Sequence, residues 1–311
     1  MASEFEIIRR HFARPAQRAV LGVGDDAALV QPGHGMELAV STDLLIEGRH
    51  FRAGSDARRL GHKALAVNLS DLAAMGATPR WATLALALPA ADDAWLTAFA
   101  EGFYALAARF GVDLVGGDTT RGPTLAIGVT ILGEVPAGRA LRRAGAAPGD
   151  DVWVSGELGG AAYALAHPKA AAAARRLDEP EPRVALGARL LGIASAAIDV
   201  SDGFAQDLGH ILESSGVGAV VGLEALPSAP ELKRIHDKKQ KTRMMLSGGD
   251  DYELVFTAPA KHRETLAALA KELALPLTRV GAIEKGNPVL SIVDRHKKPV
   301  PVEPGFDHFA K

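Results

Sequence analysis

The 311 residues of this chain are 48% hydrophobic and 23% charged, a balance typical of a globular protein large enough for two domains. The formal net charge of −2 gives no general electrostatic reason to bind nucleic acid or an anionic membrane. The lack of cysteine excludes disulfides, thiolate metal ligands and a cysteine nucleophile, and it fits the cytoplasmic location that we expect.

The amino terminus mixes charged with apolar residues and lacks the uninterrupted apolar core of a signal peptide. Apolar runs such as Trp81–Pro89 are too short to cross a bilayer. We therefore expect a soluble protein.

Strands and helices alternate in the first half of the chain. The apolar spacing predicts strands at Glu37–Leu45, Trp81–Leu88, Val112–Val115 and Leu125–Gly133, and helices at Ala57–Met75 and Asp92–Phe110. A glycine-rich turn at Gly116–Pro123 is predicted to separate the last two strands.

A second α/β segment follows a loop at Gly138–Gly149 that is rich in Arg, Gly and Ala. Its predicted strands are Asp151–Ser155, Ala196–Val200, Ala219–Leu223, Tyr252–Thr257 and Leu277–Ile283, and its main helices are Ala161–Ala166, Val184–Ile193, Gly203–Ser214 and Lys261–Leu273. The sequence therefore predicts an α/β (α+β) protein with domains at 1–137 and 148–311.

The basic run Lys233–Arg243 resembles a nucleic-acid-binding segment in charge alone. No aromatic residues interleave with its Lys and Arg side chains to stack on bases. We interpret it as a solvated helix and turn, and we expect no nucleic-acid partner.

Aspartate recurs in six short motifs. They are Gly24–Asp26, Ser41–Asp43, Asn68–Asp71, Gly116–Thr120, Asp199–Asp202 and Ser247–Asp251. Each motif alone is explained as a turn or a helix cap. Together they favour a ligand site, because most of them are predicted at strand ends, where α/β sheets bind ligands.

The motif at Asn68 and Asp71 carries the strongest signal. The two residues lie three apart, on one face of a helix that is otherwise largely apolar. A carboxylate at the margin of a buried helix is costly unless it is paired or ligated. No basic residue lies one turn away on that face, although a distant one could fold onto it. A metal ion is the economical partner.

Carboxylates that converge on one site repel each other unless hard cations lie between them. Aspartate with hydroxyl ligands, and without a His or Cys cluster, selects magnesium, which commonly shares its ligands with phosphates. The chain has no Walker A motif and no protein-kinase signature set. The glycine-rich Val154–Gly160 misses the dinucleotide spacing and is interpreted as a tight turn, which leaves Arg121 and Arg143 as candidate phosphate ligands.

The motifs resemble those of the thiamine-monophosphate kinase family over essentially the whole chain. The matching stretches are Gly22–Ala28, Ser41–Asp43 with His50–Phe51, Lys63–Ala77, Gly116–Gly122, Gly138–Arg143, Ile198–Gly203, Ser247–Leu254 and Gly305–Phe309. The resemblance implies the fold of aminoimidazole ribonucleotide synthetase: an amino-terminal sheet domain that dimerises and a carboxyl-terminal α/β domain that completes the active site. It also implies magnesium as cofactor, ATP as co-substrate, thiamine monophosphate as acceptor and a homodimer.

The same resemblance implies a role for individual residues. Metal ligands would be Asp26, Ser41, Thr42, Asp43, Asp71, Asp118, Asp199 and Asp202, and ATP contacts Gly117, Asp118, Arg143 and Ser201. Thiamine-phosphate contacts would be His50, Asp250 and Phe306, and catalytic groups Asp43, Asp118 and Arg143. Asp250 departs from the family, which often has Glu there, and Phe306 stands where some relatives have Tyr or Trp.

Several alternatives stay open at the level of sequence. His50 is also explained as a satisfied histidine at a strand end, and Phe306 as an anchor of the carboxyl terminus. Selenophosphate synthetases and hydrogenase-maturation proteins of the same fold rely on cysteine or selenocysteine, and signature stretches of a ring-closing ligase are absent. Another ATP-dependent enzyme of the superfamily, or a non-catalytic nucleotide-binding module, is the alternative to a kinase.

Overall fold

The computed structural model describes residues 3–303, 305 and 306. The chain divides into two compact units: unit 1 comprises Met1–Leu72 and Ala77–Gly138, and unit 2 comprises Ala73–Gly76 and Arg139–Lys311. The sequence prediction of 1–137 and 148–311 differs from this division mainly by the segment 139–147, which belongs to unit 2. Of the carboxyl-terminal motif Gly305–Phe309, residues 307–309 lie outside the described residues.

Unit 1 is built on a four-stranded sheet. Its strands are β1 (Met36–Ile46), β2 (Thr78–Leu88), β3 (Asp113–Arg121) and β4 (Ala126–Pro136), and its helices are α1 (Glu4–Ile7), α2 (Ala57–Ala74) and α3 (Asp93–Phe110). The spatial order is β1-β4-β2-β3. The β2–β3 pair is parallel and the other two pairs are antiparallel.

Local signals explain where the long helix α3 begins and ends. The Asp92 side chain caps it by accepting hydrogen bonds from the N–H groups of Ala94 and Trp95. Gly111 ends it in the left-handed conformation, with φ of 66°. Between these caps the apolar residues of α3 are buried, among them Leu96, Phe99, Phe103 and Leu106.

The two faces of the unit 1 sheet differ. Alternate residues of the central strands are buried, as in Leu84, Leu86, Ile127, Val129 and Ile131. On the edge strand β1, the side chains that point to the other side of the sheet are exposed. Among them, Leu38, Val40 and Leu44 are 38%, 60% and 53% exposed. This exposed side of β1 is called the open face below.

Unit 2 contains a six-stranded mixed sheet in the order β10-β7-β9-β5-β8-β6. The strands are β5 (Asp150–Ser155), β6 (Ala196–Asp199), β7 (Gly218–Gly222), β8 (Leu254–Pro259), β9 (Leu277–Glu284) and β10 (Leu290–Val293). The helices are α4 (Gly160–Ala166), α5 (Ala171–Asp178), α6 (Val184–Leu190), α7 (Phe204–Ser215), α8 (Lys238–Leu246) and α9 (Arg263–Glu272). Its core includes Val152, Val154, Phe204, Leu208, Ile211 and Val255, all less than 1% exposed.

The mixed α and β architecture agrees with the sequence prediction, but several element boundaries do not. Strand β2 begins at Thr78 and not at Trp81, and β4 ends at Pro136 and not at Gly133. The predicted turn at Gly116–Pro123 is wrong over most of its length, because β3 resumes its pairing with β2 after a register shift at Val115 and continues paired from Gly116 to Arg121. The strand predicted to begin at Tyr252 begins at Leu254, because Tyr252 has a positive φ of 51°. Helix α6 ends at Leu190 and not at Ile193.

Within the described part of the chain, none of the helices combines the length and the apolar character that crossing a bilayer requires.

Candidate active site

Three predicted ligands in unit 1 are brought together where β1 lies against α2. Ser41 Oγ donates a hydrogen bond to Asp71 Oδ2 at 2.5 Å, and the Asp43 N–H donates to Asn68 Oδ1 at 3.1 Å. Asn68 is fully buried, and its amide nitrogen donates to the carbonyl oxygen of Ala64. Asn68 therefore fixes the backbone of Asp43, while Asp71 has a protein partner in addition to any metal ion.

The strand-end argument fails for these residues. Ser41, Thr42 and Asp43 lie in the interior of β1, and Asp118 lies in the interior of β3. The reason is that pairing with the neighbouring strand continues beyond the polar motif, through Leu44–Ile46 on β1 and Thr119–Arg121 on β3. Asp199, which is the last residue of β6, does follow the predicted pattern.

Thr42 lies on the open face of β1, and Asp118 lies on the same side of the sheet, on β3. The cross-strand register aligns Leu44, Gly128, Ala85 and Asp118 in one row. Because neighbouring strands are spaced by about 4.8 Å, Asp118 is separated from β1 by roughly 14 Å. Unit 1 therefore does not place Asp118 beside Asp43. Thr42 Oγ1 lies 2.8 Å from Thr130 Oγ1, and Gly117 is exposed next to Asp118.

Asp26 and His50 lie in connecting segments of unit 1. Asp26 is exposed, and its N–H donates to the side chain of Asp25 at 2.9 Å. His50 is partly buried, and its Nδ1 accepts a hydrogen bond from the Ile46 N–H at 3.0 Å. This contact places the hydrogen of the neutral imidazole on Nε2. His50 thus has the structural contact that the alternative interpretation anticipated, and its substrate role stays a prediction.

In unit 2, β6 ends at Asp199, and the loop between β6 and α7 carries Ser201 and Asp202. Asp199 is buried, whereas Ser201 and Asp202 are partly buried. The loop is folded around one carboxylate that sequence reasoning missed: Asp207 Oδ2 accepts the N–H groups of Ser201, Asp202 and Gly203, each at 3.1 Å. Burial, with the nearby Asp202 charge, raises the pKa of Asp207 to about 7.

The predicted substrate residues Asp250 and Phe306 contact this same loop. The Asp250 N–H donates to the carbonyl oxygen of Ser201 at 2.9 Å, and the Phe306 N–H donates to that of Asp202 at 3.0 Å. Phe306 is 40% exposed. The structure therefore brings together four predicted residues of unit 2 that are separated by up to about a hundred positions in sequence.

Tyr252 is a second residue that the sequence did not single out. Its hydroxyl group donates to Asp250 Oδ1 at 3.0 Å. Both residues have positive φ, 66° at Asp250 and 51° at Tyr252, a backbone conformation that L-residues rarely adopt. No periodic or compositional signal could have revealed this contact.

Asp251 and Glu253, which alternate with Asp250 and Tyr252 along the chain, form their hydrogen bonds within unit 2. Glu253 accepts hydrogen bonds from Ser155 Oγ at 2.6 Å and from two nitrogens of Arg183 at 2.7 and 2.5 Å. Asp251 accepts the N–H groups of Gly159 and Ala161, where α4 begins, and burial raises the pKa of Asp251 to about 7. These contacts fix segment 250–253.

Arg143, the predicted catalytic cation, lies in unit 2 near the beginning of that unit. Its side chain is exposed, and its carbonyl oxygen accepts a hydrogen bond from Ser215 Oγ at 3.2 Å. The backbone of Arg143 is therefore anchored to the end of α7, while its guanidinium group faces solvent.

The donor set fits magnesium. In residues 3–303, 305 and 306, no three His, Asp or Glu side chains form a group that could hold a metal ion, so the predicted convergence of several carboxylates is not found there. The predicted ligands are nevertheless hard oxygen donors from Asp, Ser and Thr. Magnesium is commonly bound by one or two carboxylates together with substrate phosphates. The assignment of individual ligands stays a prediction.

Two family models match most of the chain. The model described as AIR synthase related protein, N-terminal domain, matches residues 24–135, and that of the C-terminal domain matches residues 147–293. Among curated proteins, the thiamine-monophosphate kinase of Salmonella typhimurium is 45% identical and is aligned over 99% of this chain and 98% of its own length.

Solved structures lead to the same family. The crystal structure of thiamine-monophosphate kinase from Stenotrophomonas maltophilia is 47% identical, with a TM-score of 0.84 over 92% of this chain and 94% of that one. AaThiL complexed with AMPPCP and TMP is 30% identical, with a TM-score of 0.79 over 92% of each chain. Because both the identity and the coverage are high, this chain belongs to the AIR synthase related proteins and, among them, to the thiamine-monophosphate kinase family.

Proposed function

We propose that this chain transfers the γ-phosphoryl group of ATP to thiamine monophosphate, which yields thiamine diphosphate and ADP. The observation that carries the proposal is similarity over the full length to curated thiamine-monophosphate kinases and to a structure whose bound molecules are AMPPCP and TMP. The sequence motifs described above also support the proposal. They match the family except at Asp250, where the family often has Glu. Because the lack of cysteine fits a reducing compartment, the proposed location is the cytoplasm.

The chemistry requires little activation of the acceptor. The second pKa of a phosphate monoester is about 6, so the attacking oxygen is already ionised at neutral pH. No general base is required, and the barrier lies in bringing two anions into line. The proposed role of the exposed guanidinium group of Arg143 is to offset this charge.

The proposed magnesium ligands in unit 1 are Asp26, Ser41, Thr42, Asp43, Asp71 and Asp118, and those in unit 2 are Asp199 and Asp202. When bound, magnesium supplies positive charge that neutralises the phosphates of both substrates. The side chains of Ser41 and Asp71 orient each other through their mutual hydrogen bond. Asn68 orients Asp43 through its backbone.

The proposed thiamine subsite is formed by Asp250 and Phe306. The thiazolium ring is a permanent cation, which favours a carboxylate and an aromatic face. Both residues are attached to the same loop through backbone hydrogen bonds, and Phe306 is partly exposed to solvent. His50 is a further proposed contact of thiamine monophosphate.

We also propose that the chain is a homodimer that pairs through the open face of β1. This edge strand exposes Leu38, Val40 and Leu44 on one side, and an apolar edge strand is an association surface unless it is covered. A second copy of the same face would bury these side chains in a two-fold arrangement.

A coupled ADP-release assay tests the kinase proposal. Thiamine monophosphate should be turned over in the presence of ATP and magnesium, and thiamine diphosphate should appear in equal amount to ADP. Thiamine and unrelated monophosphates serve as competing acceptors. ATP binding without turnover would instead favour a non-catalytic module, and preferred turnover of a different acceptor would favour another enzyme of the superfamily.

A further inference from the structure

The loop between β6 and α7 is held from inside unit 2 by a single carboxylate. Asp207 is 2% exposed and lies in the first turn of α7. Three consecutive N–H groups, those of residues 201–203, point at its Oδ2 atom. A buried carboxylate that accepts three backbone donors fixes a short loop more tightly than the loop's own side chains could.

The carbonyl groups of the same loop accept hydrogen bonds from two further segments of the chain. In each case a glycine approaches a carbonyl oxygen, and the N–H of the residue that follows donates to it. Gly249 precedes Asp250 at the Ser201 carbonyl, and Gly305 precedes Phe306 at that of Asp202. A Cβ atom on these two glycines would lie 2.4 and 2.6 Å from the respective oxygens, so both approaches require glycine.

These hydrogen bonds connect Asp207, the loop and the two substrate residues into one network. Asp207 fixes the N–H groups of the loop, and the loop's carbonyl groups fix the backbones of Asp250 and Phe306. Gln206 adds a third contact, because its side-chain nitrogen donates to the Phe306 carbonyl oxygen at 3.1 Å. The residues on the loop itself, Ser201 and Asp202, are the proposed ligands of ATP and metal.

We infer that Asp207 is a positioning residue. It holds the thiamine subsite (Asp250 and Phe306) and the phosphate-binding loop (residues 201–203) in a fixed position relative to each other. This inference rests on the proposed function, because it assigns Asp250 and Phe306 to thiamine phosphate. Asp207 is 2% exposed, and no direct contact with either substrate is assigned to it. Its effect passes through the backbone of residues 201–203.

The test compares Asp207→Ala with a matched control, Asp151→Ala. Asp151 is also a 2% exposed carboxylate of unit 2, but it is bonded to Arg263 and Arg279 and lies toward the opposite end of the strands from Asp199. Both changes remove a buried carboxylate, so both should lower the melting temperature. Only Asp207→Ala should raise both the KM for thiamine monophosphate and the half-saturating magnesium concentration. Each should rise by about tenfold, because that change corresponds to the loss of roughly one hydrogen bond.

Three further variants separate positioning from folding. Asp207→Asn keeps an oxygen acceptor at the same place and should restore both constants to within about threefold of the unchanged protein. Asp207→Ser, which is less disruptive than alanine, should give the same pattern as Asp207→Ala if the alanine variant does not fold. Gly305→Ala should raise the KM for thiamine monophosphate without changing the magnesium requirement, because it displaces only the Phe306 segment.

Amide hydrogen exchange gives a readout that does not depend on activity. In Asp207→Ala or Asp207→Ser, the amides of residues 201–203, Asp250 and Phe306 should exchange about tenfold faster, whereas Asp151→Ala should leave them unchanged. Unchanged exchange at Asp250 and Phe306 would overturn the inference whether or not the protein is a kinase. Faster exchange with unchanged constants would also overturn it. Absence of turnover by the unmodified protein would refute the proposed function alone, and the inference would then be decided by exchange.

Discussion

The apolar open face of β1 gives a quantitative prediction about assembly. Val40 and Leu44 are 60% and 53% exposed and lie on the same side of an edge strand. Replacing both residues by lysine introduces two positive charges on this side. If the face is the contact between two copies, each dimer then buries four lysines where it had buried four apolar side chains.

The magnitude follows from the exposed fractions. Full burial of a Val or Leu side chain contributes about 1.5–3 kcal/mol. Taking the exposed part of each residue, in both copies, gives about 3–7 kcal/mol lost from the free energy of association. This corresponds to a dimer dissociation constant weakened by about 10²- to 10⁵-fold, before charge repulsion is counted.

The assay is sedimentation velocity or light scattering over a micromolar concentration series. The unmodified chain should be a dimer, and the double variant Val40→Lys, Leu44→Lys should be a monomer with unchanged circular dichroism. Leu165→Lys is the matched control, because Leu165 is 55% exposed but lies on α4 in unit 2. A monomeric unmodified chain would refute the reasoning, as would a double variant that associates as tightly as the control.

Four other outcomes are expected. Asp43→Asn, Asp71→Asn and Asp118→Asn should each lower kcat by about 10²-fold or more without unfolding the protein, because each removes charge that holds magnesium; near-normal turnover in all three would contradict the metal assignment. Transfer from ATP with a chiral γ-phosphoryl group should invert its configuration, and retention would indicate a covalent intermediate. Phe306→Ala should raise the KM for thiamine monophosphate several-fold, since a cation–π contact contributes about 0.5–2 kcal/mol, with little change for ATP; equal effects on both substrates would indicate a structural role. In the presence of a chelator, Asp207 should make the free energy of unfolding fall as pH rises from about 4 to 7, contributing up to about 1.4 kcal/mol per unit, because folded Asp207 keeps its proton to a pKa of about 7 whereas the unfolded carboxyl loses it near 3.8. Asp251, whose pKa is also raised to about 7, adds a fall of the same sign. Urea titrations should show this slope reduced in Asp207→Asn, and equal slopes would contradict it.

The sequence was most informative where the signals are local. Helix α3 lies within one residue of its predicted limits, because Asp92 and Gly111 cap it and its apolar spacing is regular. The pairing of Asn68 and Asp71 on one helix face also led to a real cluster with Ser41 and Asp43. Its partner strand could not be read from the helix, since β1 meets α2 through tertiary packing alone.

The sequence was least informative where function depends on backbone contacts between distant segments. An acidic residue in the first turn of a helix, such as Asp207, is ordinarily explained by the helix dipole. Nothing in its spacing shows that three N–H groups of the preceding loop turn back onto it. The predicted turn at Gly116–Pro123 was wrong for a related reason, because pairing with β2 overrides the local preference of glycine.

Segment 250–253 shows how the two kinds of information combine. Left-handed backbone at Asp250 and Tyr252 is unfavourable by about 1–2 kcal/mol per residue, so it persists only where neighbouring contacts determine it. Those contacts come from the alternate residues, Asp251 at the beginning of α4 and Glu253 on Arg183. The motif was recognised from sequence as part of a substrate site, yet two of its carboxylates bond within unit 2. Asp251 accepts the N–H groups of Gly159 and Ala161, and Glu253 accepts from the side chains of Ser155 and Arg183. The acidic residues of one motif are therefore divided between binding and support, and only their side-chain partners separate the two roles.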